Sequence, residues 1–306
     1  MAMVFGISPK RFMRELYQEI SDDDIFNGAA ALGFWLTLAV FPAMIFLMAV
    51  LPYLPIHRVD QAIMDLLREV LPASAADMFY GVVREVTGQQ RGGLLSFGII
   101  ATFWAASAGM YAIMQQLNVT YDVKEGRSFL KARSISFGLS LLFGVLVIGA
   151  FSLVVLGGAL QGWIGDRFGF SPVLLDFFAA FRWLMIFFAL LLGFALIYYL
   201  GPDVKQDFKF ITPGSVLAVL LLVAASLVFK FYATHFGNYS ATYGSIGAVI
   251  ILMFWLYITG LVILLGSEIN ALVEHYAPGG KEKGEKVEGQ HGRRAPGTPP
   301  PPPRRS

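Results

Sequence analysis

Long apolar segments separated by short polar segments dominate this sequence. They cover approximately residues 25–54, 93–117, 134–160, 178–200, 213–234 and 246–267. Each is near or above the ~20 residues that an α-helix needs to cross a hydrocarbon core of ~30 Å. The pattern therefore predicts an all-α, polytopic membrane protein with six transmembrane helices.

Two other segments have the periodicity of amphipathic helices. Apolar side chains between residues 12 and 20 fall on one face, and most charged side chains lie elsewhere. This is typical of a helix that lies in the membrane interface, although a helix packed on the bundle fits equally well. Ser21 and Asp24 have capping-box spacing and predict the start of the first span. Residues 56–91 carry two further apolar stripes, which predict amphipathic helices on the outer membrane face.

Small residues and one proline define the expected shape of the first span. Ala29 and Gly33 form a small-xxx-small pair, which allows a neighbouring helix to approach closely. Pro42 removes one backbone donor and crowds the preceding turn. We therefore expect a helix kink at Pro42.

The polar segments give the domain organisation and the orientation. Residues 1–24 are predicted to form a cytoplasmic interfacial helix and residues 25–277 the six-helix domain. Residues 278–306 are basic and rich in Gly and Pro, which predicts a disordered cytoplasmic tail. If the six predicted spans are correct, sixteen of the 23 Lys and Arg residues lie on the same side of the membrane as the N-terminus. The positive-inside rule then places both termini in the cytoplasm.

Composition narrows the classes of function. The chain is 56% hydrophobic and 14% charged, and it contains no Cys. Its net charge of +2 is too small to indicate a nucleic-acid partner. The four His residues do not pair at metal-ligand spacing, and no phosphate loop or hydrolase motif is present. The sequence therefore predicts a protein that is not an enzyme and that holds no cofactor or metal.

Charged residues near the spans are the candidate functional positions, because charge in a membrane is costly and usually functional. Arg182 and Lys230 are predicted to lie at similar depth near the outer ends of neighbouring helices. They either extend their charges to the interface or, with Asp176, bind an anionic substrate. Glu268 and Asn270 form a polar pair at the inner end of the last span, where a plain helix-end role is favoured over a gate. The middle of each predicted span contains no Asp or Glu.

Three segments resemble a known family. The C-terminal segment is YSATYGSIGAVIILMFWLYITGLVILLGSEIN, and the other two are ALGFWLTLAVFPAMIFL and WAASAGMYAIMQQLNVTYDVKEGRSF. In this order they resemble the YihY/BrkB family of bacterial inner-membrane proteins, over roughly residues 10–275. The resemblance implies a six-helix protein of the bacterial inner membrane. Members of the family once carried the label ribonuclease BN, which the residues of this sequence do not support.

Two functions remain open at this stage. The first is a transporter or flippase-like protein for an anionic or amphiphilic envelope compound, with membrane lipids as its surroundings or substrate. The second is a non-transporting scaffold that docks an envelope-assembly protein. A polar cavity between the helices that reaches the middle of the membrane would favour the first function, and a solid bundle would favour the second.

Overall fold

The computed structural model describes residues 8–50, 92–168, 172–236, 245–277, 280–281, 283–287 and 290. The described residues form helices and contain no strand. The helices are α1 (Pro9–Asp22), α2 (Ile25–Val50), α3 (Gly92–Thr120), α4 (Phe129–Phe168), α5 (Pro172–Leu200), α6 (Pro213–Phe236) and α7 (Ser245–Tyr276). The predicted all-α class is therefore confirmed.

Five of these helices are long and apolar enough to cross a membrane: α2, α3, α4, α5 and α7. A shorter apolar stretch, Pro213–Phe229, lies in α6. Large apolar side chains such as Phe34, Trp104 and Phe181 are exposed along these helices, as expected for surfaces that face lipid. This arrangement is that of a multi-pass membrane protein. The predicted amphipathic segment 56–91 lies outside the described residues.

Several helices extend beyond the apolar segments that predicted them. The 40-residue α4 continues to Phe168, and the 32-residue α7 continues to Tyr276. An apolar segment in the sequence shows only the part of a helix that lies in the bilayer. Backbone hydrogen bonding can continue the same helix into the polar residues beyond it. Pro42 lies within α2, which continues to Val50, and the kink stays a prediction.

The junction of α1 and α2 differs from its prediction. Ser21 lies inside α1, and α2 begins after Asp24, whose φ is 49°. The Asp24 carbonyl accepts the N–H groups of Asn27 and Gly28, and its carboxylate accepts from the Asn27 amide at 2.7 Å. Asp24 itself therefore begins the second helix. The capping pattern predicted the right region and the wrong residue, because Ser-Asp-Asp-Asp offers several capping positions.

The first and last spans pack closely against each other. A Cβ atom on Gly33 would lie 3.2 Å from the backbone of Tyr257, and one on Gly260 would lie 3.1 Å from the Ala29 carbonyl. The close approach predicted for Ala29 and Gly33 is thus confirmed. Helix α2 also packs on α3, and α4 contacts α3 and α5, while α6 contacts α5 and α7.

Successive helices run in opposite directions, so the start of one helix lies beside the end of the next. Most of the polar side chains described in the next subsection therefore lie at one end of the bundle. The starts of α2, α4 and α6 meet the ends of α3, α5 and α7, together with α1 and residues 280–281 and 283–287. We call this region the polar end. It contains the buried ion pairs and the cavities described next.

Candidate functional site at the polar end of the bundle

Arg127 organises one half of the polar end. Its guanidinium donates to both carboxylate oxygens of Glu125, each at 2.8 Å, and its side chain is only 7% exposed. It also donates to the carbonyls of Leu200 at 3.2 Å and Gly201 at 2.8 Å, which end α5. Burial alone would raise the pKa of Glu125, but the hydrogen bonds and charge of Arg127 outweigh burial and hold this pKa below its usual range. Arg127 therefore joins the loop after α3 to the end of α5.

The same network reaches residues that follow α5. Asp203 accepts the Gly126 N–H at 2.9 Å and the ammonium of Lys286, while its own N–H donates to Asn118 at 2.7 Å. Asn118 in turn donates to Glu125 at 3.1 Å. The charges of this network are thus paired, and Arg127, Glu125 and Asp203 each make a further hydrogen bond.

The described residues beyond Ala277 take part in the packing of the bundle. Lys281 is buried, pairs with Glu274 and donates to the Lys205 carbonyl at 2.8 Å. Lys286 also accepts the Lys205 N–H through its carbonyl. The sequence predicted a disordered tail that starts at residue 278, whereas these described residues contact the bundle. The segment is held by ion pairs, and ion pairs do not produce a periodic pattern of apolar residues that a sequence analysis could detect. Residues 291–306 lie outside the described part of the chain.

The other half of the polar end contains a pair of carboxyl groups. Glu268 on α7 is 1% exposed, and its carboxyl group lies against that of Asp23 in the turn between α1 and α2. The pKa of Asp23 is raised to about 7: burial is the largest cause, the interaction with the Glu268 carboxyl lowers this pKa, and the charges of Asp122 and Glu19 raise it. In the sequence, Asp23 is one of three consecutive Asp residues before the first span. Nothing in its local pattern indicated Glu268 as a partner.

A small number of groups surround this acid pair. Lys283 donates to Glu19 at 2.5 Å and lies 3.8 Å from Asp122. The neighbouring hydroxyl groups of Thr120 and Ser267 bond to each other at 2.5 Å. Carboxyl groups therefore outnumber the nearby cation.

A larger cavity of about 530 Å³ opens between the ends of α5 and α7 and the start of α6. Lys205, Lys209 and Lys281 contribute positive charge to its lining, and Asp207 and Glu274 contribute negative charge. The rest of its lining is mixed. The polar residues Gln206, Thr212 and Asn270 lie beside aromatic or apolar ones: Tyr121, Ala195, Tyr198, Tyr199, Ile211 and Val273. The loop that carries Lys205 and Lys209 was not singled out in the sequence, where its alternation of charged and aromatic residues is the available signal.

Asn270 borders this cavity and connects two helices. Its side-chain oxygen accepts the Gly214 N–H at 2.8 Å. A Cβ atom at Gly214 would lie 1.9 Å from the Gly266 carbonyl, so glycine is required at this approach of α6 to α7. Asn270 therefore holds the start of α6, while the neighbouring Glu268 belongs to the acid pair with Asp23. The structure does not bring Glu268 and Asn270 together as one functional pair.

The other predicted site residues lie far from the polar end. Arg182 lies about three turns into α5, and its Nε and Nη1 atoms are buried without a hydrogen-bond partner among the described residues. Asp176 is exposed on the same helix, and no ion pair of the described residues joins it to Arg182. Lys230 lies in α6, which packs against α5, but its side chain is outside the described set. An anion site formed by these three residues stays a prediction.

Within the described ranges, no group of three or more His, Asp or Glu side chains could hold a metal ion. The fold and this polar end define a multi-pass helical membrane protein. The family described as virulence factor BrkB matches residues 16–290, and the chain belongs to this family. The resemblance predicted from the three sequence segments is confirmed.

Relatives with similar sequences occur in several bacteria. The putative ribonuclease-like protein YfkH of Bacillus subtilis is 38% identical over 262 residues, which are 86% of this chain and 94% of that protein. A UPF0761 membrane protein of Legionella pneumophila is 26% identical over 277 residues, which are 89% of this chain but 64% of the relative. A UPF0761 membrane protein of Tolumonas auensis is 24% identical over 281 residues, with 88% and 87% covered. No solved structure matches the chain.

Proposed function

We propose that this membrane protein transports an anionic or amphiphilic compound of the cell envelope, in the manner of a transporter or flippase. The observation that carries the proposal is the cavity of about 530 Å³ at the polar end. Ligand pockets of small molecules are typically ~300–1,000 Å³ and combine apolar walls with a few polar groups. The cavity has this size, and its lining combines aromatic and apolar residues with a larger share of charged and polar groups.

The lining suits a molecule with an anionic head and an apolar body. Lys205 and Lys209 are exposed at the cavity, so their ammonium groups are accessible to an anion. Phe208 and Ile211, in the same loop, are also exposed. A loop that alternates exposed cations with exposed apolar side chains suits the headgroup region of a membrane. An amphiphile could enter the cavity from that region.

Arg182 supports the proposal from a different part of the bundle. It lies on α5, about 20 Å along the helix from Ala195 in the cavity wall. Charged side chains at membrane depth usually pair or mark a substrate path, and the buried Nε and Nη1 of Arg182 have no acceptor among the described residues. An anionic group that passes along α5 would provide one.

We propose that the protein lies in the bacterial inner membrane, with both termini and the polar end in the cytoplasm. The Lys and Arg distribution supports this orientation. Alkaline phosphatase fused after Ser306 should then be inactive, and the enzyme fused after Gln89 should be active. The reverse activities would contradict the orientation.

Lipid movement across reconstituted vesicles tests the transport function. The protein is placed in phosphatidylcholine vesicles that contain fluorescent phosphatidylglycerol, and dithionite quenching measures how fast the inner-leaflet label becomes accessible. We expect faster quenching than in empty vesicles, and a severalfold lower rate for the double variant Lys205→Gln/Lys209→Gln. Equal rates for protein-containing and empty vesicles would contradict the proposal for this class of lipid.

A matched control separates cavity charge from total charge. Lys124 and Lys131 are also exposed at the polar end but do not line the cavity. The variant Lys124→Gln/Lys131→Gln therefore removes the same charge and should keep the wild-type rate. Arg182→Gln should slow transport while the protein still folds, and full activity of this variant would remove Arg182 from the proposed path.

The scaffold alternative predicts a different result in the same vesicles. A scaffold would dock an envelope-assembly protein and would move no labelled lipid. The cavity lies at the end of the bundle rather than midway along the helices, so the flux measurement decides between the two functions.

A further inference from the structure

The buried carboxyl groups of Asp23 and Glu268 lie against each other where the turn before α2 meets α7, so a hydrogen bond can form between them. A carboxylate can only accept a hydrogen bond, so one of the two groups must carry a proton when this bond exists. Glu268 Oε1 and Asp23 Oδ2 are buried, and no donor of the described residues reaches either atom. A proton held by the pair would give these carboxyl oxygens a hydrogen-bond donor, which the surrounding described side chains do not provide.

The surroundings favour one proton on the pair over none. Two adjacent carboxylates in a buried site repel each other, so such pairs usually share one proton. Lys283 is the described cation near the pair, and it already bonds to Glu19 and lies near Asp122. Its charge is thus divided among several carboxylates. The neighbouring Thr120 and Ser267 hydroxyl groups are neutral and bond to each other.

A small cavity connects Glu268 with the polar end. Its volume is about 30 Å³, which is enough for a water molecule. The titratable and charged groups that line it, from α1, the loop after α3, α7 and the C-terminal segment, are Glu19, Tyr121, Asp122, Glu268, Glu274, His275, Lys281, Lys283 and Glu285. A proton on the pair can therefore exchange with the solution on this side through water and carboxyl groups.

The position of the pair allows its charge to influence the helices. Asp23 lies in the turn between α1 and α2, and Glu268 lies on α7. The pair thus connects the first and last described spans, which also pack closely at Gly33 and Gly260. Release of a proton would add a negative charge at this junction and would change the contact between the turn and α7.

We propose that Asp23 and Glu268 together bind one exchangeable proton, and that this proton is the coupling ion of the transport described above. The binding of the proton stands on the geometry of the pair, whereas the coupling rests on the proposed transport function. The site lies near the polar end of α7 rather than midway along it, so it differs from a carboxylate at the centre of the membrane.

Infrared spectroscopy tests proton binding without any transport. Protonated carboxyl groups have a carbonyl stretching band that carboxylates lack. We expect the wild-type protein to lose one such band between about pH 5 and about pH 9, because the pKa of Asp23 is about 7. The double variant Asp23→Asn/Glu268→Gln should lack this titrating band. Asp22→Asn, at the exposed neighbouring carboxyl, should keep it.

The wild-type titration tests the site even if a variant fails to fold. Absence of a band that titrates in this range would overturn the proton site. Persistence of the band in the folded double variant would assign it to another group and would also overturn the site.

Flux measurements test the coupling separately. Vesicles with the fluorescent phosphatidylglycerol are given a pH difference across the membrane. Wild-type flux should change severalfold when the difference is reversed, and the flux of Glu268→Gln should respond little. A titrating band combined with pH-insensitive wild-type flux would overturn the coupling alone. A titrating band without wild-type flux would overturn the transport function, and with it the coupling, while the proton site would stand.

Discussion

The two halves of the polar end use buried charge in opposite ways. Around Arg127, each carboxylate has a cation partner and additional hydrogen bonds. Around Glu268, two carboxyl groups contact each other, and buried oxygen atoms have no donor among the described residues. Both halves lie at the same end of the bundle, so location alone does not explain the difference.

The difference indicates separate roles. A buried ion pair whose partners are fully hydrogen-bonded holds its segments in one arrangement, because removal of either partner leaves an uncompensated charge. A pair of acids can exist with or without its proton, so its energy changes with pH. The Arg127 half fixes the loops after α3 and α5. The Glu268 half can change the contact between α7 and the α1–α2 turn.

Removal of Arg127 gives the largest expected effect. Arg127→Ala would leave the Glu125 carboxylate without its cation. It would also leave the carbonyl groups of Leu200 and Gly201, at the end of α5, without the guanidinium that donates to them. We expect the free energy of unfolding to fall by ~3–5 kcal/mol, measured by thermal unfolding in detergent. Lys124→Ala, at an exposed neighbouring cation, should change little. A small loss for Arg127→Ala would show that its network does not hold the loops.

The acid pair should give the protein a pH dependence of opposite sign from that of Glu125. The pKa of Asp23 in the folded protein is about 7, above the value of about 3.9 expected in the unfolded chain. The folded state therefore binds more protons between these values, and the free energy of unfolding should fall as pH rises, by at most ~1.4 kcal/mol per pH unit.

Two variants separate these contributions. Asp23→Asn should flatten the decline between about pH 4 and about pH 7. The Glu125 carboxylate has a lowered pKa in the folded protein, so its stabilisation is present above about pH 4 and is lost as pH falls further. Glu125→Gln should lower the free energy of unfolding above about pH 4, because Arg127 loses its partner, and should flatten only the acid side of the pH profile. An unchanged slope in Asp23→Asn would contradict the assignment of the titration to the pair.

The C-terminal segment contacts both halves and allows a comparison of two truncations. A chain that ends at Ala277 loses Lys281, Lys283 and Lys286, which pair with Glu274, Glu19 and Asp203. We expect its free energy of unfolding to be lower by ~1–3 kcal/mol, because partly buried carboxylates lose their partners. A chain that ends at Gln290 keeps these pairs and should match the full chain. Equal stability of both truncations would restore the predicted tail boundary at residue 278.

The sequence predicted those features that depend on neighbouring residues. Apolar segments predicted the helices, and the spacing of Ala29 and Gly33 predicted a close contact with another helix, which the structure shows to be α7. The partner of Asp23 was not predictable, because Glu268 is distant in sequence and a single acidic residue carries no sign of its partner. The lysines after Ala277 were assigned to a tail for the same reason. Ion pairs between distant segments leave no periodic pattern.

Replacement of Lys283 should have the smallest effect on stability and a clear effect on protonation. Its side chain is 32% exposed, and it pairs with Glu19 at 2.5 Å. Partly exposed pairs contribute ~0.2–1 kcal/mol, so Lys283→Gln should lower the free energy of unfolding by no more than this. The positive charge of Lys283 also lowers the pKa of Asp23. Its removal should therefore move the titration of the acid pair to higher pH, which the infrared carbonyl band measures. Lys286→Gln, which removes a cation from the Arg127 half, should leave that titration unchanged. An equal shift in both variants would show that the two halves are not electrostatically separate, and that the polar end titrates as one cluster.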